Sequence, residues 1–212
     1  MQDTFTQLRQ RYPDLEQAFD SIQAAYDILY QTFTSNHKLL ICGNGGSAAD
    51  SDHIVGELMK DFESKRPIDD ELAQKLKAVS PETGDYLARQ LQGGLPTISL
   101  NANMPLITAI SNDMGADMIY AQQVYGYGQA GDTLLAISTS GNSANVLHAV
   151  HVANAIGMNT IGLTGQDGGK LRRHCSVTMC VPRTRTLEVQ ELHLPIYHAL
   201  CIALENDIFK SS

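Results

Sequence analysis

Five short apolar runs, each set between stretches of helical periodicity, constrain this chain more than any other feature. They are 38–42 (KLLIC), 96–100 (PTISL), 133–137 (TLLAI), 159–163 (NTIGL) and 177–181 (VTMCV). Runs that are apolar almost throughout, rather than alternating, are what strands buried on both faces require. Strands alternating with helices build a parallel sheet covered on both sides. Apolar spacing supplies the helices. Leu8, Leu15, Phe19, Ile22, Tyr26 and Leu29 predict helix across 3–35, interrupted at Pro13. Further helices are expected over 47–59, 105–111, 116–126, 144–156 and 186–208. Residues 61–93 carry no strand signal. There Ile68, Leu72, Leu76 and Val79, then Tyr86, Leu87 and Leu91, predict two short amphipathic helices. The expected fold is a three-layer α/β/α domain spanning 1–212 as one unit, with N-terminal helices over 1–36, a helical insert over 61–93 and a C-terminal helix over 186–208.

A chain of 212 residues can bury a sizeable core without disulfides. Its 15 Lys+Arg face 23 Asp+Glu, a formal net charge of -8. Bulk charge of that sign does not grip a phosphate backbone, so no nucleic-acid partner is expected. The charge is uneven. From Thr133 through Gln166 there is no Asp, Glu, Lys or Arg, whereas seven acidic residues fall in 61–93. No apolar run approaches the roughly 20 residues of a membrane span, so no membrane partner is expected. The opening MQDTFTQLRQRYPDLE has no apolar signal-peptide core. Cys42, Cys175, Cys180 and Cys201 are scattered and read as buried, reduced thiols. Together these features predict a cytoplasmic protein.

Two strand-to-helix turns carry the chemistry. The first is Gly43-Asn44-Gly45-Gly46-Ser47; the second is Ser138-Thr139-Ser140-Gly141-Asn142-Ser143. Ligands of a parallel sheet sit at the carboxyl ends of its strands, where each following helix offers unpaired N–H groups and a positive dipole end. Glycine lets backbone approach an anion, and Ser and Thr add hydroxyl donors. The first loop alone could be an ordinary capped turn: it lacks the third glycine of a dinucleotide fingerprint and the Lys of a P-loop. The hydroxyl cluster of the second loop, inside the uncharged stretch, makes phosphate binding the better reading.

His53 and Glu57 stand four apart and share one helical face. On the otherwise apolar last helix lie Gln190, Glu191, His193 and His198. Gln190 and His198 are about 12 Å apart along a straight helix, so one metal ion cannot easily take both. Either Pro195 distorts that helix or a site there combines two chains.

In these residues the sequence resembles the sugar isomerase (SIS) family, in its phosphoheptose isomerase branch. The resemblance lies in GNGGSAADSDHIVGEL at 43–58, SND at 111–113, GDTLLAISTSGNSANV at 131–146, LTGQDGGK at 163–170 and VQELHLPIYH at 189–198. It implies an SIS domain with a five-stranded parallel sheet, assembled as a homotetramer with active sites at subunit interfaces. It implies an aldose–ketose isomerase of carbohydrate metabolism, acting on sedoheptulose 7-phosphate, with Glu57 as general base and His198 as general acid. It implies one zinc ion on His53, Glu57, Gln190 and His198. Substrate would be held by Asn44, Gly45, Gly46, Ser47, Ser138, Thr139, Ser140, Ser143 and Gln190, with Asp113 reaching the sugar.

The chain departs from the family where the sugar should be read. A Gly-Arg pair expected beyond Glu57 is Lys60-Asp61 here, and Leu187-Glu188-Val189 precedes Gln190 in place of the usual Asp/Ala-Arg-Ile. An isomerase of another ketose phosphate is therefore the nearest alternative, and two other functions compete. A relative of these isomerases without the catalytic Glu binds the bacterial replication initiator; this chain keeps Glu57 and His198, which favours an enzyme. Sugar-phosphate sensors of the family add a DNA-binding helical domain, for which 35 N-terminal residues with five acidic and two basic side chains are unsuited.

Overall fold

The computed structural model of the protein describes residues 2–209. The chain runs α1 (Gln2–Arg11), a 3-10 segment (Pro13–Ala18), α2 (Phe19–Thr34), β1 (Leu39–Gly43), α3 (Gly46–Met59), α4 (Asp70–Val79) and α5 (Pro81–Gln90). It continues with β2 (Thr97–Ser99), α6 (Met104–Asp113), a 3-10 turn (Ala116–Met118), α7 (Ile119–Tyr127), β3 (Thr133–Ile137) and α8 (Ala144–Ala155). It closes with β4 (Asn159–Thr164), α9 (Leu171–His174), β5 (Val177–Cys180) and α10 (Thr186–Phe209). All five expected strands form, within a residue or two of their expected ends. Pro13 opens the 3-10 segment that separates the first two helices. The short α9 has too few residues to show a period and was not expected.

The strands form one parallel sheet in the order β2-β1-β3-β4-β5. Side chains alternate across it. Leu39, Ile41, Leu135, Ile137, Ile161, Leu163 and Met179 point to a core shared with α1, α2, α3 and α10. Leu40, Cys42, Leu134 and Ala136 point to a second core shared with α7 and α8. Both faces are covered, which is why the strands read as unbroken apolar runs. The order reverses between β1 and β3. The crevice at that switch point is where an open α/β sheet binds its ligand, and it lies between the two loops singled out above.

The insert forms its two helices, and they pack chiefly against each other. Gly84 permits this contact: a Cβ there would lie 2.1 Å from the Leu76 carbonyl oxygen. Val79 and Tyr86 remain exposed. The root of the insert, from Asp61 to Pro67, is tied to the body of the fold by Arg66, which is fully buried. Of the cysteines, Cys42 and Cys201 are buried, but Cys175 and Cys180 are only partly covered because they flank the edge strand β5; all four are free thiols. Among the described residues no helix is long and apolar enough to cross a membrane.

Candidate active site

The first loop leaves β1 and turns into α3 at Gly45, whose φ of +59° belongs to the left-handed region that favours glycine. Gly46 has a different reason: a Cβ there would lie 1.8 Å from Nε2 of Gln190. Ser47 is buried, and its N–H donates to the Asn44 carbonyl at 3.1 Å. In the second loop the Ser138 and Ser143 hydroxyls share a hydrogen bond of 3.0 Å. The Asn142 N–H donates to Ser140 Oγ at 3.2 Å. The 165–171 turn braces this loop, with Leu171 N–H donating to the Gly141 carbonyl at 3.0 Å. Neither α3 nor α8 has a side-chain cap bond from its N-cap residue. Ser47 N–H of α3 and Val146 N–H of α8 already have acceptors, in the Asn44 carbonyl and Asn145 Oδ1, so it is the N–H groups before them that could meet an anion.

Asn145, which sequence reasoning missed, joins the loops. Its side-chain amide donates to Asn44 Oδ1 at 2.9 Å and accepts from Asn44 Nδ2 at 2.9 Å. The Tyr120 hydroxyl closes the arrangement from below, on the Gly43 carbonyl at 2.5 Å and Asn101 Oδ1 at 2.7 Å. Asn145 stands two residues past the Ser cluster, and its place there was the available signal.

The second centre lies near the other end of α3. His53 Nε2 and Glu57 Oε1 are 2.9 Å apart, and His53 Nδ1 is 3.0 Å from the Tyr197 hydroxyl. That hydroxyl donates to Asp50 Oδ1 at 3.2 Å. Asp50, His53 and Glu57 share one face of α3 at spacings of three and four. Burial raises the Asp50 carboxyl above the usual carboxylate range, against the Tyr197 and His53 contributions. His198 packs edge-on to His53 with centroids 5.1 Å apart, and against Tyr197 at 5.0 Å and Phe62 at 5.4 Å. Its Nε2 is buried without a partner. Burial, then the neighbouring His53, hold the His198 imidazole below its ordinary pKa, against an opposing pull from Glu57. Lys60 Nζ stands 3.9 Å from Glu57 Oε2, so a cation remains beside this carboxylate although Asp61 replaces the arginine.

Helices α3 and α10 run side by side in the same direction, since Gln190 meets Gly46 at one level and His198 meets His53 at another. The two levels are about 10 Å apart at 1.5 Å per residue. Helix α10 continues through Pro195, so the proline does not bring Gln190 and His198 together. Both His53 ring nitrogens are engaged, and among the described residues no three His, Cys, Asp or Glu side chains stand where one metal ion could take them. Within one chain the four side chains therefore do not fit a metal centre. Gln190 lies instead against Gly46, at the end of α3 that carries the glycine loop. Asp113 ends α6, is exposed, and accepts from Asn112 Nδ2 at 2.8 Å; no bond ties it to either centre. His193 is wholly buried, and burial pushes its pKa down to about 4, so it is a neutral core residue.

Comparison with known proteins places this geometry in a family. The SIS domain model matches residues 5–94 and 79–165. A phosphoheptose isomerase of Aliarcobacter butzleri is 37% identical over 194 residues, covering 92% of this chain and 89% of that protein. One from Trichlorobacter lovleyi is 39% identical over 181 residues, covering 85% of this chain and 79% of its own. The solved phosphoheptose isomerase of Neisseria gonorrhoeae superposes with a TM-score of 0.74 at 32% identity, covering 95% of each chain. That of Francisella tularensis gives 0.73 at 28% identity, covering 97% of this chain and 96% of its own. Glu57 beside His198, and two uncapped helix ends at the sheet's switch point, are thus features of a chain that belongs to the SIS domain family and, within it, to the phosphoheptose isomerases.

Proposed function

We propose that the protein is a cytoplasmic aldose–ketose isomerase of heptose synthesis, converting sedoheptulose 7-phosphate to glycero-manno-heptose 7-phosphate. The observation that carries this reading is the Glu57 carboxylate, held at 2.9 Å by His53, with the His198 ring next to it. In the ketose, Glu57 takes a proton from the carbon beside the carbonyl while His198 donates one to the carbonyl oxygen, giving the enediol. Glu57 then returns its proton to the neighbouring carbon while the other enediol hydroxyl gives its proton back to His198, and the aldose forms with both groups restored. An imidazole kept neutral by burial suits the donor role, because it can give an N–H to an oxygen gaining charge without itself being a strong acid. The Asp50–Tyr197–His53 chain orients the base. The phosphate goes to the loops after β1 and β3, where recognition comes from N–H groups and hydroxyls rather than charged side chains.

A site at a subunit interface, in a homotetramer, is part of the proposal. Ser47 and Glu57 are ten residues apart on α3, roughly 15 Å along the axis. A seven-carbon sugar phosphate, advancing about 1.3 Å per bond, spans roughly 10 Å. Loops of one protomer and the Glu57–His198 pair of another then serve one substrate. A metal cofactor is consistent with the family. Zinc enters no step here; an interface that brings Gln190 of one chain toward His53 of another is the arrangement that could gather its expected ligands. Binding of the replication initiator is not favoured, since Glu57 and His198 are both present and both meet His53.

Purified protein incubated with sedoheptulose 7-phosphate should form the aldose, followed by NMR; absence of turnover with and without added zinc rejects the activity. Mixing Glu57→Gln with Asn145→Asp, each impaired alone, should restore activity in mixed oligomers. No recovery in confirmed mixed oligomers places all the machinery in one chain.

A further inference from the structure

The connection between α3 and the insert holds a buried ion pair that the chemistry above does not use. Arg66 and Glu205 are both fully buried, with Arg66 Nε donating to Glu205 Oε1 at 2.8 Å. Arg66 Nη1 donates to the Leu58 carbonyl at 2.8 Å, and Nη2 to the carbonyl of Glu57 itself at 3.0 Å. These are carbonyls of the last turn of α3, which have no partner inside the helix and which attract a cation. The Phe209 ring lies 4.8 Å from the guanidinium. Glu205 in turn accepts three successive backbone N–H groups, from Phe62 at 2.9 Å, Glu63 at 2.9 Å and Ser64 at 3.1 Å. The first of these residues carries the ring that packs on His198.

We infer that the Arg66–Glu205 pair is the positioning device of the active site, fixing from one point both the backbone turn that carries Glu57 and the Phe62 ring that backs His198; this rests on the isomerase reading above. Neither side chain reaches solvent, so neither can touch substrate. Stability alone is a poor explanation of the pair. A buried ion pair is often matched or bettered in stability by apolar residues of similar volume, whereas its hydrogen bonds impose a geometry that apolar packing does not. Lysine cannot replace Arg66 in this role, because one ammonium cannot make three divergent bonds in the plane of a guanidinium. The base and the acid, Glu57 and His198, are 141 residues apart in sequence and belong to different helices, and the pair is the point at which those two helices and the insert are bonded together.

The test compares wild type, Arg66→Lys and the double variant Arg66→Met/Glu205→Gln, in which the buried charges are removed and an amide oxygen is kept for the Glu63 and Ser64 N–H groups. Thermal melting and oligomer size establish which variants fold. A misplacement of about 1 Å can cost on the order of 100-fold in rate, so kcat should fall about 10- to 100-fold in folded variants. KM for the ketose phosphate and inhibition by inorganic phosphate should stay within about threefold, because the phosphate loops lie at the other end of α3. Folded variants with wild-type kcat overturn the inference, as does a parallel loss of kcat and phosphate affinity, which marks general loosening. If wild type itself isomerises no sugar phosphate, the isomerase reading fails separately. Hydrogen exchange then decides on the tether: faster exchange of Arg66→Lys confined to 57–64 supports it, and unchanged exchange there overturns it.

Discussion

The side-chain amides of Asn44 and Asn145 hold each other in a reciprocal pair, both bonds 2.9 Å, across the point where the sheet changes direction. The pair links the start of α3 to the start of α8 and spans 101 residues of sequence. It sets the separation of the two open helix ends that are proposed to share one phosphate.

Asn145→Asp keeps the outline of the side chain but loses its donation to Asn44 Oδ1, and it places a carboxylate in the uncharged stretch. Inhibition by inorganic phosphate should weaken about fivefold or more, since a like charge near the anion costs on the order of 1 kcal/mol even when screened. Unchanged phosphate inhibition would show that the anion binds elsewhere.

Glu57→Gln removes the base but keeps hydrogen-bonding capacity toward His53. Turnover should drop about 100- to 10,000-fold, the range of a general base, with melting temperature within a few degrees of wild type. A variant retaining a tenth of the activity would dismiss Glu57 from that role.

Gln190 stands against Gly46, beside the loop proposed to take the phosphate. Gln190→Ala should therefore raise KM and weaken phosphate inhibition more than it lowers kcat. Gly46→Ala should act in the same direction, because its new methyl group displaces the Gln190 amide. If Gln190→Ala instead lowers bound metal while sparing phosphate affinity, Gln190 is a ligand in the assembled protein.

Burial pushes the Glu205 carboxyl upward, but the Phe62 and Glu63 N–H groups and the Arg66 guanidinium outweigh it and hold it below the ordinary range. The stability from this group is therefore fully present above the unfolded-chain pKa of about 4.3, and is lost as pH falls from there through the lower folded value. Removing one partner of such a buried pair costs about 3–5 kcal/mol, so Glu205→Ala should melt far below wild type at pH 7. Glu205→Gln, with no carboxylate to protonate, should lose less melting temperature than wild type between pH 6 and 3. Equal acid losses in the two proteins would remove Glu205 from the account.

Much of the fold was legible because its signals are local. The strands announced themselves by unbroken apolar runs, and Pro13 marked the end of α1. The two loops could be read from glycine and hydroxyl density alone. The pairing of His53 with Glu57 followed from helical spacing; Asp50, three residues before His53, was missed although the same spacing places it on that face. Tyr197 could not be read that way, because its bond to His53 depends on how α10 lies on α3. The Arg66–Glu205 pair was hidden for the same reason: its partners are 139 residues apart and belong to segments of different character.

The sequence by itself determined which segments are strands and helices, which loops lack charge, and which side chains have acid–base chemistry, because each depends on residue type and near-neighbour spacing. Only the tertiary structure decided how these are grouped. The parallel run of α3 and α10 puts His198 beside His53 and sends Gln190 to the opposite level, so four side chains that the family resemblance implies as one set divide between two places within the chain. That division follows from the rigid rise of a helix. Side chains eight residues apart on α10 stay about 12 Å apart along the axis, and a single chain cannot fold that distance away.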